Sequence, residues 1–123
     1  MIQGMITDDL EPVIQVRVRG GSGNEEELVV GIDTGFTDYL TLPSAIIESL
    51  ELPYESSVQM TLADGQTVEL DCYRGQIDWD DEVRNIIVAG SECDPLIGMS
   101  MLEGFDLRMR VIPGGEVIIE TIP

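Results

Sequence analysis

Val29-Val30-Gly31-Ile32-Asp33-Thr34-Gly35-Phe36 is the stretch on which the fold turns. A short apolar run delivers an acidic residue, a hydroxyl and a glycine. That is what a carboxylate needs if it is to be held at the end of a buried strand on a tight turn. Val30 and Ile32 anchor the run in a core. Thr34 offers a hydroxyl for hydrogen bonding in the loop, and Gly35 permits torsions or a close approach that a Cβ would forbid. By itself, Asp33-Thr34-Gly35 is equally consistent with an Asx turn after a strand.

Outward from this stretch the chain reads as short strands separated by turns. Pro12 to Arg19 alternates, with Ile14, Val16 and Val18 facing one way and Gln15, Arg17 and Arg19 the other, as in a half-buried strand. Gly20 to Asn24 is a loop, and Glu25-Glu26-Glu27 reads as a solvated hairpin end. Leu28 to Ile32 is continuously apolar, the pattern of a strand buried on both sides. Pro43 to Leu50 predicts a helix of about two turns, with proline at its first position, Ile46, Ile47 and Leu50 on one face, and Pro53 stopping it.

Val58 to Leu62 and Thr67 to Trp79 flank Ala63-Asp64-Gly65, a strong hairpin signal. Val83 to Ala89, the alternating Phe105, Leu107 and Met109, and Glu116 to Thr121 after Pro113-Gly114-Gly115 complete a set of seven or so strands. One small helix among them predicts an all-β, barrel-like domain. Met99, Met101 and Met109 read as core packing.

The bulk properties narrow the function. A length of 123 residues suits one domain, residues 1-123, and 43% hydrophobic content suits a globular one. No basic-then-apolar leader and no membrane-length apolar run is visible, which favours the cytoplasm. Cys72 and Cys93 make no disulfide framework and read as buried free thiols. The chain has no histidine, which excludes Ser-His-Asp and Cys-His catalysis and removes the commonest metal ligand. Hydrolytic chemistry here must rest on carboxylates or oxygen-ligated metals. A formal net charge of −18 argues against nucleic acid and against an anionic membrane surface. It leaves a basic or neutral peptide as the easier partner. Asp78, Asp80, Asp81 and Glu82 lack the spacing and glycine of a calcium loop and read as a turn between strands, so no metal and no cofactor is expected.

About sixty residues after the triplet, Pro95-Leu96-Ile97-Gly98-Met99-Ser100-Met101-Leu102-Glu103-Gly104-Phe105 places two apolar residues before a glycine, then a helix-like turn, then a strand. With this second segment the chain resembles the retropepsin-like aspartic proteases, above all the small prokaryotic single-lobe type with Asp-Thr-Gly-Phe. The shared elements are the Asp33 loop, the Leu42-Pro43 helix start, the Leu62-Ala63-Asp64-Gly65 hairpin and the Ile97-Gly98 segment. They occur in family order over roughly residues 12 to 119.

The resemblance implies a single-lobe acid-protease barrel and an aspartic endopeptidase without cofactor. Peptide hydrolysis by carboxylates needs two of them, one as general base on water and the other protonated at the scissile carbonyl. One triplet in one chain then implies a C2 homodimer with an Asp33 from each copy on the axis. Thr34 would hydrogen-bond across the axis, and Gly35 would lie against the substrate backbone. Ile97 and Gly98 would pack beneath the loop. Ala63, Asp64 and Gly65 would form a flap over a peptide or protein substrate, and Ile2–Ile6 and Val117–Ile119 would supply dimer-forming strands.

Phe36 stands where alanine or serine is usual, which predicts a narrower or shifted pocket. Thr37 and Met99 replace an aspartate and arginine that pair in retroviral members. These departures keep open an inactive dimeric module that binds a peptide strand by β-augmentation.

Overall fold

The computed structural model describes residues 1–123. Its strands are β1 (Ile2–Ile6), β2 (Pro12–Arg19), β3 (Glu25–Ile32), β4 (Leu40–Leu42), β5 (Tyr54–Thr61), β6 (Thr67–Trp79), β7 (Glu82–Gly90), β8 (Leu96–Ile97), β9 (Phe105–Met109) and β10 (Glu116–Thr121). Two helices, α1 (Ser44–Ser49) and α2 (Met99–Leu102), accompany them. The architecture is all-β, as expected, but with ten strands and a second helix of one turn. The added β4 and β8 are three and two residues long, too short for a period of two to register in sequence.

The strands hydrogen-bond in the order β5-β6-β7-β4-β8-β3-β2-β1-β10-β9. A further pairing of β6 with β2, through Arg17↔Asp78, Val18↔Ile77 and Arg19↔Gln76, closes β6-β7-β4-β8-β3-β2 into a barrel. Its interior holds Val18, Val30, Leu40, Ile77, Trp79 and Ile97, each almost wholly removed from water. Two flanks project from it: the β5–β6 hairpin, and the antiparallel group β1-β10-β9. The alternation of β2 is as expected, with Ile14, Val16 and Val18 inside.

β3 departs from its expectation. It begins three residues early, at Glu25, and alternates rather than being buried on both sides, so Val29 is 63% exposed. Glu25 and Glu27 are therefore strand residues, not a hairpin end. They stand opposite Arg19 and Arg17 and form ion pairs with them, so the carboxylates face outward beside cations.

α1 starts one residue later than expected. Pro43 is in the extended region (φ −72°, ψ 158°) and caps the helix from outside. No side chain of the preceding turn caps it. Instead the Glu92 carboxylate accepts the Ser44 N–H at 2.9 Å. The Ser44 hydroxyl and N–H hold the Glu92 carboxyl below its ordinary range. Ile47 and Leu50 are buried and Ile46 half-buried, which seats the helix on the barrel.

Both cysteines are free, but only Cys72 is buried; Cys93 is exposed. Of the methionines assigned to the core, Met101 is buried, while Met99 and Met109 are exposed. Hydrophobicity alone did not reveal the side on which these residues fall.

Candidate active site

Asp33 follows the last residue of β3. There β8 inserts between β3 and β4, parallel to the first (Ile32↔Ile97) and antiparallel to the second (Leu40↔Ile97). The chain leaving β3 must therefore pass over the end of β8 through residues 33–39 before returning as β4. The Asp33 N–H donates to the Ile97 carbonyl at 3.0 Å, and the Phe36 N–H donates to the Asp33 carbonyl at 3.1 Å. On the far side, Gly98 N–H donates to Tyr39, Met99 N–H to Phe36 and Ser100 N–H to Thr37, at 3.1, 2.8 and 3.2 Å. The Ser100 hydroxyl also donates to the Thr37 carbonyl.

Gly98 is at the centre of this clamp. Its backbone is extended (φ −117°, ψ −171°), so its glycine requirement is one of space. A Cβ there would lie 2.4 Å from the Asp38 carbonyl oxygen and 2.5 Å from that of Phe36. It would also lie 2.6 Å from Phe36 Cδ2. One edge of the Phe36 ring thus fills the hollow that the missing Cβ leaves. These contacts pack Phe36 against Gly98.

The Asp33 carboxylate itself is ordered by its own loop. Oδ1 accepts the Gly35 N–H at 2.8 Å, and Oδ2 makes no hydrogen bond within the chain. Asp33 is half-buried, with Thr34 and Gly35 exposed beside it. Sequence reasoning missed Thr41, the one polar residue among the buried ones. Its Oγ1 accepts the Leu96 N–H at 3.0 Å and ties β4 to the strand beneath Asp33. A lone hydroxyl between Leu40 and Leu42 was the only signal.

The expected flap residues lie elsewhere. Before Cys72, over residues 67–71, β6 stands clear of the barrel and pairs with β5 alone. At the tip, Leu62 N–H donates to Gln66 and Gly65 N–H to Leu62, while Asp64 Oδ1 accepts the Gln66 N–H at 2.9 Å. Ala63, Asp64 and Gly65 are all exposed. The register puts Val58, Met60, Val68 and Leu70 on one face of this hairpin, in line with Cys72 and Arg74. Ser57, Gln59, Thr67, Glu69 and Asp71 occupy the other.

The apolar face is on the side that the 33–39 loop approaches. Tyr39 shares a cavity of about 480 Å³ with Arg74, Asn85 and Ile87. Burial, reinforced by the charges of Asp38 and Asp71, pushes the Cys72 thiol up. Another cavity, about 590 Å³, is at the opposite end of β2 and β3. It is lined by Gln15, Arg17, Arg19, Asp78 and Glu82, away from Asp33. The Asp78–Glu82 segment is the expected turn, made by Asp80 and Asp81 with positive φ, and no three carboxylate, thiol or imidazole groups converge to hold a metal.

Two solved structures are similar to this chain in fold. EIAV protease complexed with the inhibitor HBY-793 matches over 76% of this chain and 86% of that one, with a TM-score of 0.57 and 20% identity. A retropepsin-like aspartic protease from Rickettsia conorii matches over 99% of this chain and 91% of that one, with a TM-score of 0.57 and 16% identity. No protein-family model matches the sequence, and no curated protein does either.

Proposed function

On the premise that this chain has the retropepsin-like fold, we propose that it is an aspartic endopeptidase acting as a homodimer. The observation that carries the reading is the Asp33 loop. One carboxylate oxygen is fixed by the Gly35 N–H, and the other is left open on a half-exposed loop that the 97–100 segment clamps from below. One loop holds one carboxylate, and peptide hydrolysis needs a base and an acid. A second copy, related by a two-fold axis beside Asp33, supplies the missing one.

Two facing carboxylates cannot both ionise cheaply, so the pair keeps one proton. The ionised Asp33 takes a proton from water as the water oxygen attacks the peptide carbonyl carbon. The protonated Asp33 hydrogen-bonds the carbonyl oxygen and gives it its own proton, which makes a neutral tetrahedral diol. The Asp33 that took water's proton then passes it to the nitrogen, and the carbon–nitrogen bond breaks to release the amine. The other Asp33 takes a proton from a diol hydroxyl as the carboxylic acid forms, so the pair again holds one proton. Thr34, whose hydroxyl makes no hydrogen bond within the chain, reaches across the axis. Gly35 and the flap tip at Ala63, Asp64 and Gly65 face the substrate backbone, and Ile97 and Gly98 support the loop.

The free outer edge of β5 favours a second reading, in which a peptide strand adds to the flap and is held without cleavage. Peptide-library digestion across pH separates the two. The endopeptidase gives an acidic optimum and loses activity on the alkaline side as the shared proton leaves, and Asp33→Asn abolishes cleavage. Peptide binding by wild type and Asp33→Asn alike, with no cleavage by either, supports the second reading.

A further inference from the structure

The end of the sheet that carries Asp33 also carries two turns with unusual composition. β1 ends beside the start of β2 (Ile6↔Pro12), and β10 starts beside β1 (Met5↔Glu116). The Thr7–Glu11 turn and the Arg110–Gly115 turn are therefore neighbours, joined at Ile6, whose carbonyl accepts the Gly114 N–H at 2.9 Å. Both are closed by their own backbone. Thr7 N–H donates to Glu11, Arg110 N–H to Glu116, and Gly115 N–H to Ile112, at 2.9, 2.9 and 2.8 Å. Turns on a sheet end are ordinarily polar. These hold out Leu10, Val111 and Ile112, which are 53%, 59% and 61% exposed, and Leu10 does so from a left-handed backbone (φ 62°).

The charges on this end are unusual as well. All six basic residues are arginines. Arg17, Arg19, Arg74 and Arg108 are ion-paired, and Arg84 donates to the Met101 carbonyl. Arg110 alone has no partner, and it opens the turn that carries Val111 and Ile112. The adjoining turn bears Asp8, Asp9 and Glu11, none of them ion-paired in this chain.

The terminal strands, by contrast, have no edge to offer. β1 is hydrogen-bonded on both sides, to β2 and β10, and β10 on both sides, to β1 and β9. The strands that the family resemblance offered as dimer-forming thus pair with neighbours inside one copy.

We propose that the Thr7–Glu11 and Arg110–Gly115 turns are the surface through which this chain pairs with a second copy of itself. Leu10, Val111 and Ile112 of the two copies pack together, and Arg110 of each copy pairs with the Asp8, Asp9 or Glu11 carboxylates of the other. A two-fold pairing is self-complementary, so an apolar patch beside one unpaired cation and three unpaired carboxylates meets what it needs in a copy of itself. The choice of a second copy as occupant rests on the endopeptidase reading, in which the site is incomplete without it. Nothing else on this strongly acidic molecule offers a free cation to offset the mutual repulsion of two such chains.

Sedimentation velocity of the full chain, from about 1 to 100 µM, tests the proposal. Wild type forms a dimer. The Val111→Asp/Ile112→Asp variant, folded by circular dichroism, loses dimer affinity by roughly a hundredfold or more, because each substitution enters the interface twice. Val83→Asp, at an exposed apolar residue on the far end of the barrel, leaves the dimer unchanged. Arg110→Glu weakens the dimer, and combining it with Asp8→Arg and Asp9→Arg restores it. That rescue keeps the proposal falsifiable should the apolar variant not fold.

A wild type that stays monomeric at 100 µM overturns the proposal. So does a dimer indifferent to the apolar and charge variants, or one broken by Val83→Asp instead. Digestion separates this surface from the activity. A dimer held by these turns that cleaves nothing fails the endopeptidase reading and keeps the surface. Cleavage by a dimer that ignores these substitutions does the reverse.

Discussion

Two aspartates of this chain make the same local bond. Asp33 Oδ1 accepts the N–H of Gly35 at 2.8 Å, and Asp64 Oδ1 accepts that of Gln66 at 2.9 Å. Each is an Asx-type turn, written by an aspartate followed closely by glycine. Their surroundings separate them. The Asp33 loop is pinned by backbone bonds to Ile97, Gly98, Met99 and Ser100, about sixty residues away, whereas the Asp64 tip bonds only to Leu62 and Gln66 of its own hairpin. The same turn chemistry thus gives a fixed carboxylate in one place and a free tip in the other. Long-range insertion of β8 and Gly98 makes the difference.

The largest expected contrast is in activity. Asp33→Asn keeps the shape of the turn and removes the titrating group, and should cut peptide cleavage by at least about a thousandfold. Asp64→Asn, by the same change in the same local bond, should leave kcat/KM within about threefold. Equal losses in steady-state assays of the two variants would erase the distinction.

Stability should separate the two regions next. Gly98→Ala drives a Cβ into two backbone carbonyls and a ring edge, and should cost about 3 kcal/mol or more in denaturant unfolding. Gly65→Ala meets nothing within 4 Å, so only the strain of its positive φ (86°) is left, about 1 kcal/mol. Comparable costs would mean that the 97–100 segment does not clamp the loop.

Hydrogen exchange sharpens the same comparison without mutation. Amides of the flap tip should exchange through near-free local opening, and those of Asp33 and Met99 roughly a hundredfold more slowly or better. Slow exchange at Ala63-Asp64-Gly65 would contradict their assignment as a lid.

The smallest effect concerns Glu92, which leads into β8 and caps α1. Its carboxyl is held below the ordinary range in the folded protein, by the Ser44 hydroxyl first and the Ser44 N–H second. Its contribution is therefore present above the unfolded carboxylate range and lost as pH falls through the folded value. Glu92→Gln should flatten the acid side of a Tm–pH curve between about pH 3 and 6 and lower Tm slightly at neutral pH. A steeper acid limb in the variant would reverse that sign.

Much of this was legible before the structure. β2, β6 and β10 stand where alternation and turn residues put them, because a period of two and Asp-Gly or Pro-Gly-Gly punctuation are local signals, while β5 runs Tyr54–Thr61 and so starts well before the expected Val58. β4 and β8 were not legible, since three and two residues carry no period. The outward face of β3 was hidden because Leu28-Val29-Val30 is apolar throughout, and only its place in the barrel decides that Val29 faces water. At the site, Asp33, Thr34, Gly35 and Gly98 could be named from the chain. Thr41 and Glu92 could not, because their partners, Leu96 and Ser44, lie 55 and 48 residues away.

The sequence by itself determined the all-β class, the acidic turn after an apolar strand and the hairpin tipped by Asp64 and Gly65. It also confined any hydrolytic chemistry to carboxylates or oxygen-ligated metals, through the lack of histidine. These are local or compositional properties, set by side-chain size, alternation and residue type within a few positions. Only the tertiary structure decided that β6 closes the barrel against β2, that Gly98 must lack a Cβ because two carbonyls and the Phe36 ring meet over it, and that β1 and β10 spend their edges on each other. Each of these depends on which backbone groups from distant segments come within van der Waals or hydrogen-bonding reach, and no single stretch of the chain encodes that.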